Sequence, residues 1–148
     1  MHPVGQIKYR IPLGVNHAEQ SKLLLVTGAD SRYSFRMYSN TVASQWLEYL
    51  EDQFAFTENL PLAIKNALTV RLFVHDFGWE QEKRWIDRFP NVALDSCNKT
   101  IDELIAQSRV FVSTYNGANH LEAFTMDIPT VIFWNPKHWE IRDAAIPY

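Results

Sequence analysis

Residues 109–134 read RVFVSTYNGANHLEAFTMDIPTVIFW and carry the clearest fold signal in the chain. An apolar strand, a short polar turn, a helix and a second apolar strand follow one another, which is the pattern of a parallel βαβ crossover. The turn, Ser113 to Gly117, gathers small and polar residues where the first strand passes into the helix. Because the first N–H groups of a helix have no partner within it, this turn is a candidate phosphate site.

The rest of the chain continues the alternation of strands and helices. Short apolar runs predict strands at 22–27, 70–75, 92–94, 110–114 and 130–134. Helices are predicted at 41–56, 61–68, 78–89, 117–126 and 138–145, and another begins at a capping box formed by Thr100 and Glu103. In the first helix the apolar stripe comprises Ala43, Trp46, Leu47, Leu50 and Phe54. Residues 1–21 contain prolines and are predicted to be a linker or edge segment.

Five apolar strands separated by helices predict an α/β fold with a doubly wound, Rossmann-like parallel sheet. With the strand order 3-2-1-4-5, the first and fourth strands are neighbours, and winding reverses between them. The loops 28–40 and 115–119 then meet at one crevice, where ligands of such sheets bind. The first loop carries Arg32 and Arg36, and the second offers backbone N–H groups, so both suit an anion.

Composition excludes several classes of function. The 14 Lys and Arg against 17 Asp and Glu give a net charge of −3, and no basic run indicates nucleic-acid binding. One cysteine excludes an intramolecular disulfide, and the five histidines show no metal spacing, so we expect no metal and no cofactor. No signal peptide or apolar run of about 20 residues is present. We therefore expect a cytoplasmic chain, with peripheral contact at the inner membrane as its only form of membrane association.

The chain resembles a known group of proteins. The run from Ser113 to Phe133 resembles the donor-binding, C-terminal half of GT-B glycosyltransferases. Over residues 22–148 the resemblance is closer, to a bacterial family of transferases linked to surface carbohydrate synthesis. The segments that carry it are KLLLVTG, QWLEYLEDQF, VRLFVHDFGWEQEKRWIDRFP, STYN and IPTVIFWNPKHWEIRDAAIPY.

The resemblance implies a nucleotide-sugar donor as substrate and a carbohydrate or lipid-linked acceptor. Residues 22–148 would form the donor domain, truncated at its C-terminus, and the acceptor-binding half would be missing. Glu122 would bind the ribose hydroxyls, as a carboxylate can accept two hydrogen bonds. The other implied donor contacts are Thr27, Gly28, Arg32, Arg36, Thr114, Asn116, Gly117, Ala118 and Asn119. Further donor or acceptor contacts would be His75, His120, Asn135 and His138.

Other interpretations stay open. Glu122 could be an ordinary solvated helix residue, Gly117 could serve only the turn, and the two arginines could pair with nearby carboxylates. His75 could belong to a structural pair with its neighbouring aspartate. At the level of function, the alternatives are a nucleotide-binding regulatory module without transfer activity and an enzyme resembling a nucleotide-sugar epimerase. The transfer reaction itself needs no protein nucleophile, and the sequence assigns no catalytic base.

Overall fold

The computed structural model describes residues 11–18, 22–33, 41–139 and 142–145. Arg36, one of the predicted donor contacts, lies outside these residues. Residues 140 and 141, within the predicted helix at 138–145, also lie outside them.

The fold is built on one sheet of five parallel strands. They are β1 (Lys22–Val26), β2 (Leu68–Arg71), β3 (Ala93–Asp95), β4 (Ser108–Ser113) and β5 (Thr130–Ile132). Their order is β3-β2-β1-β4-β5, which confirms the predicted doubly wound arrangement. β1 and β4 pair in parallel, so the winding reverses between them.

Five helices cover the sheet. They are α1 (Trp46–Glu58), α2 (Leu62–Asn66), α3 (Gln81–Arg88), α4 (Ile101–Ala106) and α5 (Asn119–Thr125), and a 3-10 turn follows at Asp143–Ala145. Of the part of the chain described, no helix has both the length and the apolar run needed to cross a bilayer.

Alternate residues of β1 face opposite sides of the sheet. Leu25 packs with Trp46, Leu50 and the rest of the core beneath α1 and α3. Leu24 and Val26 pack with the core beneath α4 and α5. A strand buried on both faces needs apolar residues at successive positions, which is why the run is continuous rather than alternating.

The predicted face of α1 was partly wrong. Trp46, Leu50 and Phe54 are buried as expected, but Leu47 is 50% exposed and Ala43 precedes the helix. Tyr49, Gln53 and Thr57 are buried in their place. The helix is therefore rotated toward a face that includes polar groups. The Gln53 Nε2 and Thr57 hydroxyl groups donate to carbonyls one turn back.

Two predicted elements end differently. β2 starts at Leu68 and stops at Arg71 instead of running to His75, because its partner β3 is only three residues long. The predicted helix at 138–145 was also wrong over its described residues: residues 136–138 form a turn, and Asp143–Ala145 form a 3-10 turn. The Asn135 side chain accepts a hydrogen bond from the Lys137 N–H and stabilises that turn.

The segment 11–18 lies against the sheet without joining it. The N–H groups of Leu13 and Gly14 donate to the Met126 carbonyl at the end of α5. The Arg109 guanidinium on β4 donates to the carbonyls of Asn16 and Ala18. These contacts attach the segment to the end of the sheet opposite the predicted crevice.

Candidate functional site

The carboxyl ends of β1 and β4 are joined by a continuous set of hydrogen bonds. The Gly28 N–H donates to the Tyr49 hydroxyl at 2.8 Å, and that hydroxyl lies 2.6 Å from Thr114 Oγ1. Thr114 Oγ1 in turn donates to the Val26 carbonyl at 2.9 Å. Burial raises the pKa of Tyr49 above its usual range, so the phenol stays protonated and donates to Thr114. The crevice at the winding reversal therefore has a rigid floor.

The Tyr115 ring fills this crevice. A Cβ added at Gly28 would lie 3.3 Å from Cγ and Cδ1 of the ring. One added at Gly117 would lie 2.9 Å from Cδ2, and closer still to Cε2. The Asn119 side chain donates to the Tyr115 hydroxyl at 2.7 Å and fixes the ring. Both positions therefore need glycine, because the aromatic ring approaches their backbones too closely for a side chain.

Three amides behind this ring are without hydrogen-bond acceptors. The Gly117 N–H donates to the Tyr115 carbonyl at 2.9 Å. Among the described residues, no acceptor is found for the N–H groups of Asn116, Ala118 and Asn119. α5 has no side-chain cap at its start. The turn therefore exposes N–H donors, and the prediction that they hold an anion stays a prediction.

Little free space remains in the crevice with Tyr115 in place. The cavity beside the ring has a volume of about 10 Å³, which is room for one water molecule at most. Its lining comes from both loops, from α1 and from the loop after β5: Gly28, Ala29, Asp30, Thr41, Trp46, Tyr49, Tyr115 and Trp139. A nucleotide can occupy this position only after the Tyr115 ring moves.

Arg32 lies in the loop after β1, on the side toward β2. Its guanidinium donates to the Gly78 carbonyl at 3.2 Å and lies 5.4 Å from the centroid of the Trp79 ring. Trp79 is fixed by donating to the Asp30 carbonyl and by stacking on Trp46. The exposed charge is thus held over an aromatic surface, a favourable cation–π arrangement.

A family model described as LIC12162 family transferase matches residues 2–148. The chain belongs to the LIC12162 family of transferases. This confirms the resemblance to a transferase family. No curated protein and no solved structure matches the chain.

In this LIC12162 family chain, two predicted contacts already have structural partners. The Thr27 hydroxyl is buried and donates to the Arg71 carbonyl, which links β1 to β2. The Thr114 hydroxyl is buried and committed to the crevice floor. Either threonine would reach a ligand only by giving up its present hydrogen bond.

Glu122 and His120 are both buried near the start of α5. Burial raises the pKa of Tyr115, the Asn119 hydrogen bond opposes that shift, and the Glu122 charge adds to it. Glu122 therefore lies within electrostatic reach of the ring that fills the crevice. His120 packs edge-on against Phe124, its Nδ1 is buried without a hydrogen-bond partner, and burial lowers its pKa.

The other predicted donor or acceptor contacts, which are His75, His138 and Asn135, lie apart from the crevice floor. His75 is exposed and packs beside the Phe73 and Phe77 rings. His138 is buried, and its Nε2 lies 3.2 Å from a Glu48 carboxylate oxygen. Asn135 is half-buried and uses its side-chain oxygen within the turn after β5.

Sequence reasoning missed the two tyrosines that shape the LIC12162 family crevice. Tyr49 was not included in the apolar stripe of α1, although its position within the helix was correct. Tyr115 was quoted in the turn without a role. The useful signal was an aromatic residue two positions before Gly117, since a ring beside a glycine often marks close packing on the backbone.

Proposed function

We propose that this chain is a glycosyltransferase-like transferase domain that binds a nucleotide-activated sugar for surface carbohydrate synthesis. The observation that carries the proposal is the crevice between β1 and β4. The backbones of Gly28 and Gly117 lie against the Tyr115 ring, which occupies the crevice. Membership of a transferase family supports a group-transfer reaction, and the winding reversal is where sheets of this type bind ligands.

Donor binding starts with rotation of Tyr115 out of the crevice. The space released is flanked by backbone without side chains, which suits close approach of a diphosphate. The amides of Asn116, Ala118 and Asn119 would donate to its oxygens. Glu122 would accept from the ribose hydroxyls once the ring no longer lies near its carboxylate.

The chemistry proposed is electrostatic. Transfer of the sugar to an acceptor hydroxyl leaves negative charge on the departing diphosphate. Backbone N–H groups, with Arg32 at the neighbouring loop, would stabilise that charge as it develops. The acceptor is a carbohydrate or a lipid-linked carbohydrate, and a second domain would supply the base, as in two-domain enzymes of the GT-B type.

A regulatory module that binds nucleotide without transfer is the second candidate. It is favoured by one observation: Tyr115 is fixed in the crevice by the Asn119 side chain at 2.7 Å. A nucleotide that displaces this ring would change the surface of the domain, and a partner protein could detect the change. Transfer of sugar by the chain together with an acceptor-binding domain would exclude this alternative.

The proposal is tested by calorimetric titration with nucleoside diphosphates, nucleoside monophosphates and nucleotide sugars. We expect saturable binding of at least one diphosphate compound, weakened by Glu122→Gln. Glu51→Gln, an exposed change on α1, is the matched control and leaves binding unchanged. Absence of saturable binding in both the natural chain and Tyr115→Ala would overturn the proposal, because the crevice would then be open and still unused.

A further inference from the structure

A second and larger cavity lies at the carboxyl ends of β2 and β3, against α3. Its volume is about 510 Å³, within the range of small-molecule sites. Val74 and Ile86 form part of its wall and are 60% and 49% exposed, so apolar surface faces the opening. The cavity shares no lining residue with the crevice around Tyr115.

One buried side chain presents an unused acceptor to this cavity. Gln81 lines it and is only 4% exposed. Its Nε2 donates to the carbonyls of Phe73 at 2.9 Å and His75 at 3.2 Å, which fixes the orientation of the amide. Within the described ranges, its Oε1 has no hydrogen-bond partner. This oxygen, with its orientation fixed from the other end of the amide, can accept a hydrogen bond from a ligand hydroxyl group in the cavity.

The charges around the cavity favour a neutral or cationic ligand. Glu80 and Glu82 line it together with Lys83, and Asp76 is occupied by donors from its own loop. Glu80 lies 4.0 Å from Lys83, whereas Glu82 accepts only from the Ser96 hydroxyl at 3.3 Å. The wall is therefore negative on balance and unfavourable to phosphate.

The backbone around the cavity is held in uncommon conformations. Glu80, which lines the cavity, has φ of 52°, and Phe77 and Cys97 in the adjoining loops have φ of 53° and 67°. Residues with side chains adopt this left-handed region at a cost that the surrounding structure must offset. The loops thus keep a fixed shape before any ligand arrives.

From these features we infer that the cavity between β2, β3 and α3 binds a pyranose ring that is neutral or carries an amino group. The apolar face of the ring packs on Val74 and Ile86, and its hydroxyl groups donate to Gln81 Oε1 and the Glu82 carboxylate. An amino group complements the negative wall. If the proposed function holds, this sugar is the part of the acceptor that contacts the donor domain, the rest of the acceptor lies on the second domain, and the donor occupies the Tyr115 crevice.

The inference is tested with glucosamine, glucose and glucuronate titrated into the full chain and followed by NMR. We expect saturable shifts at residues around Gln81, with affinity decreasing from glucosamine to glucose to glucuronate. Ile86→Arg places bulk and positive charge at the opening, so it should weaken glucosamine binding about tenfold or more. Leu121→Arg, at a position that is also 49% exposed but outside the cavity, is the matched control.

A second variant removes charge without adding bulk. Glu82→Gln should reduce the preference for glucosamine over glucose about threefold and leave glucose affinity nearly unchanged. Binding of neither sugar, equal binding in Ile86→Arg, or tightest binding of glucuronate would overturn the inference. Nucleotide binding by Ile86→Arg separates the two proposals. If this variant loses sugar binding but retains nucleotide binding, the sugar site is distinct from the nucleotide site. If the natural chain binds sugar but no nucleotide, the sugar site is supported and its role as an acceptor site is overturned.

Discussion

At the scale of single residues, the state of the crevice depends on Tyr115. Its ring lies between two glycines and hydrogen bonds to the Asn119 side chain. Under the proposed function, nucleotide affinity would include the cost of moving the ring, since only the open state would accept the ligand.

Tyr115→Ala should raise nucleotide affinity about tenfold or more, because the closed state no longer competes with the ligand. Tyr115→Phe keeps the ring and loses only the hydrogen bond from Asn119, so its affinity should fall between the two. Calorimetric titration measures both. Weaker binding by the alanine variant would instead indicate that the ring contacts the bound nucleotide.

Gly117→Ala should destabilise the fold by about 1–3 kcal/mol, because the new Cβ overlaps the Tyr115 ring. The cost depends on that ring, so it should largely disappear in the background of Tyr115→Ala. Chemical denaturation of the four proteins of this double-mutant cycle gives the coupling. Equal costs in both backgrounds would show that the turn itself requires glycine.

His120 should make folding stability depend on pH. Burial lowers its pKa below the ordinary value of 6.5, so the folded state resists protonation more than the unfolded state does. Stability attributable to His120 is therefore full above the ordinary pKa, falls as pH drops below it, and levels off below the folded pKa. Denaturation at pH 8 and pH 5 should show a smaller loss for His120→Gln than for the natural chain. His75→Gln changes an exposed residue and should leave the loss of stability between pH 8 and pH 5 unchanged.

At the scale of elements, short side-chain motifs determine where helices begin. The Thr100–Glu103 capping box was predicted from sequence and is confirmed, with both hydrogen bonds present. Hydrogen bonding to Thr100 lowers the pKa of Glu103 and keeps it ionised at the helix start. The start of α3 is instead stabilised by Asp76, whose carboxylate accepts hydrogen bonds from the N–H groups of Gly78, Glu80 and Gln81.

Asp76→Ala should destabilise the chain by about 0.5–2 kcal/mol, because three N–H groups at the start of α3 lose their acceptor. Asp76→Asn retains one oxygen and should cost less. Urea denaturation measures the change, and Asp87→Ala, exposed on the same helix, serves as control. If Asp87→Ala destabilises the chain as much as Asp76→Ala does, the loss of stability comes from the change in helix charge and not from the lost cap.

At the scale of the whole molecule, the crevice and the larger cavity both lie at the carboxyl ends of the strands. The Tyr115 crevice lies after β1 and β4, and the second cavity lies after β2 and β3. Parallel strands bring all their carboxyl ends to the same side, so both surfaces face the same direction. The N-terminal segment is attached to the opposite end, through Arg109 and Met126.

Arg109→Ala should release residues 11–18 while leaving the sheet intact. Loss of the donors to Asn16 and Ala18 should accelerate hydrogen exchange at the Leu13 and Gly14 amides, with β1 and β4 protection unchanged. Arg88→Ala is a matched exposed arginine whose partner is Glu58, and it should leave Leu13 and Gly14 protected. Faster exchange throughout β4 would instead assign Arg109 to global stability.

The sequence by itself determined the class of fold and the number of strands, whereas the order 3-2-1-4-5 entered as a condition that the structure then met. Apolar runs such as Leu23–Val26 fit only a strand buried on both faces, and alternation with helices leads to a parallel sheet. It also located the turn around Gly117. These features are local, or follow from general rules of chain connection, so neighbouring residues suffice to reveal them.

Only the tertiary structure decided what fills the crevice and where the larger cavity lies. The Tyr115 ring packs against Gly28, which is far from it in the sequence. No periodic pattern in the sequence indicates this contact. The Gln81 amide beside the larger cavity is oriented by its hydrogen bonds to the Phe73 and His75 carbonyls. Side-chain packing between distant segments determines both results, and the rotation of α1 that buries Tyr49 follows from the same packing.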